Sequence, residues 1–471
     1  MNNHQNHRHS DRQHKDVEVE IGQRFPLTIK RLGINGEGIG YYQRKICFVP
    51  FALPGEVVVA EVTEADPRFI RAKIHKLRKP SPHRVEPADD YAQDVGGFEL
   101  EHLAYPQQLE FKRDLIRQAL DKFKPTGYHG YTIHPTLGMD MPYEYRNKAQ
   151  FQIRMIDGHV AAGLYQSGSH DLVDLESCSV QIPVTMTVMR DMVKLIEELE
   201  IPVYDEKTKA GIIKTVVVRV ADGTGEVQLT IITNTPKLPH KHQLLEQIEQ
   251  RLPEVTSVMQ NINPGTSPLV WGDETIHLAG NDAITEMIGG LKFRLSARAF
   301  LQLNPEQTKV LYEQTAKALK PSRKDTLIDA YAGIGTIGLS FANQVDQVLG
   351  MEVIPDAVAD AKYNAEQNNI DNAQYEVGTA EKVMPRWLND GVNFDALVVD
   401  PPRSGLDGGL IKEILRAKPE KFVYVSCNPS TLARDLVPLT KVYDVKYMQP
   451  VDMMPQTPKC EVVVKLVKSA K

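Results

Sequence analysis

Four apolar runs beyond residue 290 each end on residues that carry chemistry, and no other feature of the chain limits its fold so tightly. TLIDAY ends on Asp329 and Tyr331, QVLGMEV reaches Glu352, FDALVVD ends at Asp400, and KFVYVSC ends at Cys427. Stretches with helical apolar spacing lie before, between and after them: NPEQTKVLYEQTAKALK, PDAVADAKYNAEQNN and PSTLARDLVPL. Short apolar runs alternating with helices predict a doubly wound α/β domain with a mainly parallel sheet. A sheet of this kind binds ligands at the carboxyl ends of its strands.

Read in order, those ends describe a nucleoside pocket followed by two reactive positions. The first, Asp329-Ala-Tyr331-Ala-Gly333-Ile-Gly335-Thr-Ile-Gly338, has glycines that allow a tight turn and a close backbone approach to a ligand. Glu352 follows Gly333 by nineteen residues, where an acid can accept hydrogen bonds from ribose hydroxyls. GIGTIG also fits the dinucleotide fingerprint, so a nicotinamide dehydrogenase is an alternative. That alternative leaves Asp329, Asp400-Pro-Pro-Arg403-Ser-Gly405 and Cys427 without a role, whereas a methyltransferase accounts for all of them. A lone cysteine is more often a buried structural thiol. Here Asn428-Pro429 breaks the strand and puts Cys427 in a loop, ahead of a helix whose N-terminus would favour the thiolate.

Upstream the pattern changes. Residues 17–80 hold the strand-like runs PLTIKRL, KICFVPF, VVVAEV and RAKIHKL, parted by GINGEGIG and ALPGE. That spacing predicts a small OB-like β-barrel. Residues 21–85 contain twelve Lys/Arg and five Asp/Glu, in a chain of net charge -6. A basic module on an acidic body suits contact with phosphates, with a solvated lysine-rich face as the alternative. Tyr41, Tyr42, Phe48 and Phe69 are available to stack on bases or to fill the core of the barrel. Residues 81–285 read as a mixed α+β domain, with QFQIRMI, KTVVVRVADG and EVQLTIIT as strands and VTMTVMRDMVKLIEELE and HKHQLLEQIEQRL as helices. Residues 286–471 form the α/β domain. Residues 1–16, with His4, His7, His9 and His14, read as a disordered polar tail.

No apolar run is long enough to span a membrane, and the polar start of the chain does not read as a secretory signal. Four separated cysteines (Cys47, Cys178, Cys427 and Cys460) do not make a disulfide framework. A monomer in the cytoplasm is expected.

In combination, DPPRSGL and SCNPSTLARD resemble the bacterial RNA 5-methyluridine methyltransferases, specifically the 23S ribosomal RNA (uracil-5-)-methyltransferase branch with an N-terminal TRAM domain. FLQLNPEQ at 300–307, DAYAGIGTIGL and DMMPQTPKCE are similar to the catalytic domain of that family, YRNKAQF at 145–151 to its central domain, and GEGIG and PGE to its barrel. The transfer-RNA branch is shorter and lacks the barrel, which favours ribosomal RNA. The resemblance implies a Rossmann-like domain that binds S-adenosyl-L-methionine, RNA as the partner, and methylation of carbon 5 of a uridine. It implies cofactor contacts at Gln302, Tyr331, Glu352 and Asp400, a nucleophile at Cys427 and a general base at Glu461. The reaction needs these residue types. Carbon 5 of uracil is a poor nucleophile until a thiolate adds to carbon 6. The hydrogen on carbon 5 must later leave, which needs a positioned carboxylate. The base must also be taken out of its stack to reach the thiol.

Two departures from the family pattern stand out. Many relatives hold an iron–sulfur cluster with three clustered cysteines and a later fourth. Here the corresponding stretch reads DDYAQDVGGFELEHL, with Asp89, Val95 and Phe98 in place of cysteines and Cys178 alone retained. Such clusters need thiolate ligands, so no iron–sulfur cluster or other metal is expected. Lys459 stands where relatives have a histidine two residues before Glu461, and its ammonium would weaken the base. The rival readings are the same chemistry on transfer RNA, and a catalytically silent RNA-binding protein, which the presence of both Cys427 and Glu461 argues against. A cytidine 5-methyltransferase would carry a second cysteine beside the proline that follows Asp400, and an amino-group methyltransferase an aromatic where Arg403 stands.

Overall fold

Alternation builds the N-terminal strands: along Val57–Ala65 the first six residues alternate between half-buried and buried, and Arg24–Thr28 reads exposed, buried, exposed, buried, exposed. The computed structural model describes residues 19–266 and 269–470, so the tail assigned to residues 1–16 lies outside the described residues. Two compact units are present, one running to Glu86 and taking in His102–Ala104, the other holding Pro87–Glu101 and the chain from Tyr105 onward.

The first unit is a six-stranded sheet whose edge strands are Arg24–Thr28 and Arg31–Leu32. Only Ile29 and Lys30 separate these edges, which rolls the sheet into a barrel around Phe25, Leu27, Val49, Val58, Val62 and Ile70. GEGIG is needed for closure. A Cβ on Gly38 would come within 2.5 Å of the Ala52 carbonyl oxygen, and one on Gly40 within 2.8 Å of that of Thr28. Cys47 is buried in this core.

The second unit contains two seven-stranded sheets. In the first, Lys148–Ile156, Ile213–Val220 and Val227–Thr233 are the strands expected from sequence, and only Val227–Thr233 and Val255–Ile262 run parallel. The helix Pro183–Glu198 packs Met189, Met192 and Ile196 against Val216 and Val218 of this sheet. Val95, Phe98 and Cys178 join the same apolar core. Asp89 beside them accepts hydrogen bonds from Tyr91 Oη at 2.9 Å and from the Ser179 amide at 3.2 Å. The four positions aligned with cluster cysteines therefore lie together, filled by packing and a hydrogen-bonded carboxylate.

The second sheet has the doubly wound α/β form. In chain order its strands are Thr326–Ala330, Gln347–Glu352, Ala373–Val377, Ala396–Val399, Lys421–Ser426, Tyr443–Val451 and Glu461–Lys468. Across the sheet the order is third, second, first, fourth, fifth, seventh, sixth. The first five run parallel, and Glu461–Lys468 is antiparallel to both its neighbours. The order reverses between Thr326–Ala330 and Ala396–Val399, which places a ligand crevice at their carboxyl ends. The helix Tyr105–Phe123, although distant in sequence, belongs to this sheet's core: Ile116, Ala119 and Leu120 pack with Phe422, Tyr424, Leu436 and Val462.

Candidate active site

The crevice opens into a cavity of about 1210 Å³. Gln302, Tyr331, Glu352, Asp400, Cys427 and Glu461 all line it. The six positions singled out from sequence, spread over 160 residues, thus share one wall system.

The glycine turn follows Thr326–Ala330. Tyr331, Gly333 and Gly335 all have positive φ, at 68°, 56° and 85°. A Cβ on Gly333 would meet nothing within 4 Å, so this turn presents open backbone to the cavity. Two carboxylates brace it. Asp329 accepts the Gly338 amide at 2.8 Å, and Glu352 accepts the Gly333 amide at 3.1 Å and the Ile354 amide at 2.9 Å. A carboxylate has about four acceptor sites, so Glu352 keeps capacity for ribose hydroxyls. The second oxygen of Asp329 is buried with no hydrogen-bond partner among the described residues. Burial pushes Asp329 up to about 7, with the Glu352 charge adding to the effect.

The Asp400 loop is clamped by the helix that follows Cys427. Asn428 caps Pro429–Leu439 by accepting the Ser430 amide at 3.0 Å, while its Nδ2 donates to the Arg403 carbonyl at 2.9 Å. Arg434 donates to the Ser404 carbonyl at 2.8 Å, and buried Asp435 accepts the Leu406 amide at 2.8 Å and Tyr424 Oη at 2.9 Å. DPPRSGL and SCNPSTLARD are consequently one folded object, which explains why they occur as a pair.

Glu461 reaches Cys427 through strand pairing. Ser426 lies opposite Val462, so the next residue on each strand, Cys427 and Glu461, meet at the cavity. One Glu461 oxygen is buried and without a partner among the described residues. Burial, then the Asp400 charge, push Glu461 well above the ordinary carboxylate range, and Arg403 opposes them. Burial pushes the Cys427 thiol up to about 12, with Glu461 and Asp400 adding and Arg403 again opposing. Burial and the two facing carboxyl groups thus act against the thiolate that the helix N-terminus would favour. The cation acting on Glu461 is Arg403; Lys459, expected to fill that role, is an exposed residue of the rim.

Residues 283–469 match the family described as tRNA (Uracil-5-)-methyltransferase, and residues 18–75 match the TRAM domain. An RNA methyltransferase of Lactiplantibacillus plantarum is 62% identical over 99% of this chain and 98% of its own length. One from Enterococcus faecalis is 52% identical over 96% of this chain and 99% of its own. The chain belongs to the tRNA (uracil-5-)-methyltransferase family. Its fold is that of an S-adenosylmethionine-dependent methyltransferase: the Pyrococcus abyssi tRNA (uracil-54, C5)-methyltransferase, solved with S-adenosyl-L-homocysteine, superposes with a TM-score of 0.74 at 27% identity, over 94% of this chain and 99% of that one.

In this methyltransferase the cavity adds residues that sequence reasoning does not single out. Phe300 lines the cavity yet is 63% exposed, an aromatic face left open at the mouth. Arg403 enters the sequence argument only through what it excludes, whereas here it is the countercharge for both reactive groups. The sole signal for Phe300 was its place in FLQLNPEQ beside Gln302. No helix among the described residues is long and apolar enough to cross a membrane.

Proposed function

We propose that the protein methylates carbon 5 of a uridine in 23S ribosomal RNA through a covalent Cys427–uracil adduct, as a cytoplasmic monomer. The observation that carries the reading is the meeting of Cys427 and Glu461 at neighbouring strand ends, inside a cavity whose other end is a glycine turn braced by two carboxylates. The open backbone at Gly333, the free acceptor capacity of Glu352 and the unpartnered Asp329 oxygen fit a nucleoside carrying a sulfonium. Gln302, Tyr331, Glu352 and Asp400 are the residues assigned to hold it. S-adenosyl-L-methionine, when bound, supplies an electrophilic methyl group to carbon 5.

The protein's own groups do the rest. Cys427 gives its proton to solvent and its thiolate sulfur adds to carbon 6, the carbon 5–carbon 6 electron pair moving toward oxygen 4 to give an enolate. Arg403 favours this step by stabilising negative charge on the sulfur. After carbon 5 is methylated, Glu461 takes the remaining hydrogen of carbon 5 as a proton. The electrons left behind restore the double bond and expel Cys427 as thiolate. Phe300 offers a surface on which an unstacked base can rest. With Val95, Phe98 and Cys178 in one apolar core and Asp89 hydrogen-bonded to Tyr91 and Ser179, the thiolates needed for an iron–sulfur cluster are missing, and we assign none.

Transfer RNA is the second reading, favoured by the Pyrococcus abyssi enzyme, which is a tRNA (uracil-54, C5)-methyltransferase and covers 94% of this chain. The two are separated by methylation of unmodified 23S ribosomal RNA and unmodified transfer RNA in parallel, with the product uridine mapped. Labelling of transfer RNA alone would overturn the ribosomal assignment.

A further inference from the structure

Glu461 sits at the end of a hairpin loop, residues 452–460, that closes between Tyr443–Val451 and Glu461–Lys468, with Val451 opposite Glu461. A nine-residue surface loop would be a poor mount for a base. This one is almost wholly buried: Asp452, Met453, Gln456, Thr457 and Cys460 are each at most 4% exposed. What holds it is one face of the helix Tyr105–Phe123. Tyr105 Oη donates to Asp452 Oδ2 at 2.9 Å, and Lys112 Nζ bonds Asp452 Oδ1 and, at 2.9 Å, the Met454 carbonyl. Gln108, between them on the same face, exchanges hydrogen bonds with the Gln456 amide at 3.0 Å and its side chain at 2.8 Å. Outside the helix, Tyr145 Oη donates to the Pro455 carbonyl at 2.9 Å and Asn304 Nδ2 to that of Met453 at 3.2 Å.

Lys112 and Asp452 are both 0% exposed. A fully buried ion pair is a poor stabiliser, because desolvation of both charges consumes most of their attraction, and a packed apolar pair is often as stable. Its distinctive property is direction: the ammonium satisfies one carboxylate and one carbonyl in a single arrangement. That arrangement decides where the loop's end lies. The loop that carries Arg403 is held by different groups, since Arg403, Ser404 and Leu406 are tied by Asn428, Arg434 and Asp435.

We propose that the Lys112–Asp452 pair is the positioning device for the base-bearing loop, so that it governs expulsion of the methylated product from Cys427 while leaving thiol addition and methyl transfer largely intact. The inference rests on the reading of Glu461 as the base. The experiment uses the full chain, its RNA substrate and four proteins: wild type, Glu461→Gln, Lys112→Met, and the pair Lys112→Met/Asp452→Asn. The paired variant removes both charges; the asparagine oxygen still accepts the Met454 amide and its Nδ2 can donate to Tyr105 Oη, so it guards against a failure to fold caused by an orphaned carboxylate. Denaturing gels with methyl-labelled cofactor report the methylated RNA–protein adduct and, separately, released methylated RNA. A displacement of about 1 Å in a reacting group costs up to about a hundredfold in rate, so adduct lifetime in the paired variant should rise by about tenfold or more while adduct forms at the wild-type rate. A role limited to structure would lower both signals together and leave their ratio unchanged, and that result would overturn the proposal. If Glu461→Gln itself accumulates no methylated adduct, the assignment of the base fails instead, and the two failures are told apart by that control.

Discussion

Substituting Gly350 with alanine should damage the cofactor end of the cavity without touching a single polar group. Gly350 lies in Gln347–Glu352, paired with Asp329 on one side and Tyr375 on the other. A Cβ built there falls 2.2 Å from Cδ1 and 2.3 Å from Cε1 of the Tyr375 ring. Carbon atoms in contact prefer about 3.5–4.0 Å, so the ring must retreat by more than about 1 Å. It has nowhere to go: Tyr375 is 5% exposed, and its Oη already lies 2.8 Å from the Cβ position of Gly335 and 3.1 Å from that of Gly338. Overpacking a filled core costs about 1–3 kcal/mol, and with a rigid ring and three glycines involved Gly350→Ala belongs at the upper end. The displacement is delivered to the turn at Gly335 and Gly338, so affinity for S-adenosyl-L-homocysteine should fall along with stability. Urea unfolding measures the first effect and titration calorimetry the second. Tyr375→Leu removes the ring, so the double variant should be less destabilised than the sum of the singles by about 0.5–3 kcal/mol. Wild-type stability and affinity in Gly350→Ala, or strict additivity in the cycle, would refute the packing argument.

Cys427→Ala should form no adduct and transfer no methyl group, whereas Glu461→Gln should accumulate a denaturant-resistant adduct carrying one methyl; measurable turnover by Cys427→Ala would show the thiol to be structural. Phe300→Ala should weaken RNA binding by about 1–3 kcal/mol, the worth of one stacked base, with cofactor affinity unchanged by calorimetry. Asp329, held at about 7 against an ordinary carboxylate near 3.9, keeps its proton when folded over a range where the unfolded chain has lost it. That contribution to stability is therefore full below about pH 4 and is lost as pH rises through about 7. Asp329→Asn should flatten the fall in unfolding free energy between pH 5 and 7 relative to wild type, and an unchanged slope would rule the group out as its source.

The reactive strand ends were legible because apolar runs that stop at Asp329, Glu352, Asp400 and Cys427 can only be buried parallel strands with their ends in one crevice. Glu461 was accessible only by resemblance, since no spacing rule joins it to Cys427; their meeting depends on an antiparallel pairing that inserts the chain-order seventh strand beside the fifth. Electrostatics was less legible. The helix after Cys427 is a local feature and pointed to a thiolate, but burial, with Glu461 and Asp400 arriving from other strands, pushes the thiol up. Likewise Lys459 is near Glu461 in sequence, while the cation that acts on it is Arg403. Lys112 was invisible for a simpler reason. A lysine in a helix reads as solvated, and its partner lies 340 residues further on.

That separation has a consequence for synthesis. Lys112 leaves the ribosome on the order of tens of seconds before Asp452, at translation rates of about 5–20 residues per second. Throughout that interval the helix Tyr105–Phe123 carries a charge destined for complete burial, with no counterion to bury it against. Its docking must therefore wait, and the loop bearing Met453, Met454 and Cys460 cannot take its place in the cavity wall until it has docked. Phe422 and Tyr424, on the strand that leads to Cys427, pack on the same helix, so the Cys427 and Glu461 sides of the cavity are completed together, after the last strand has been made.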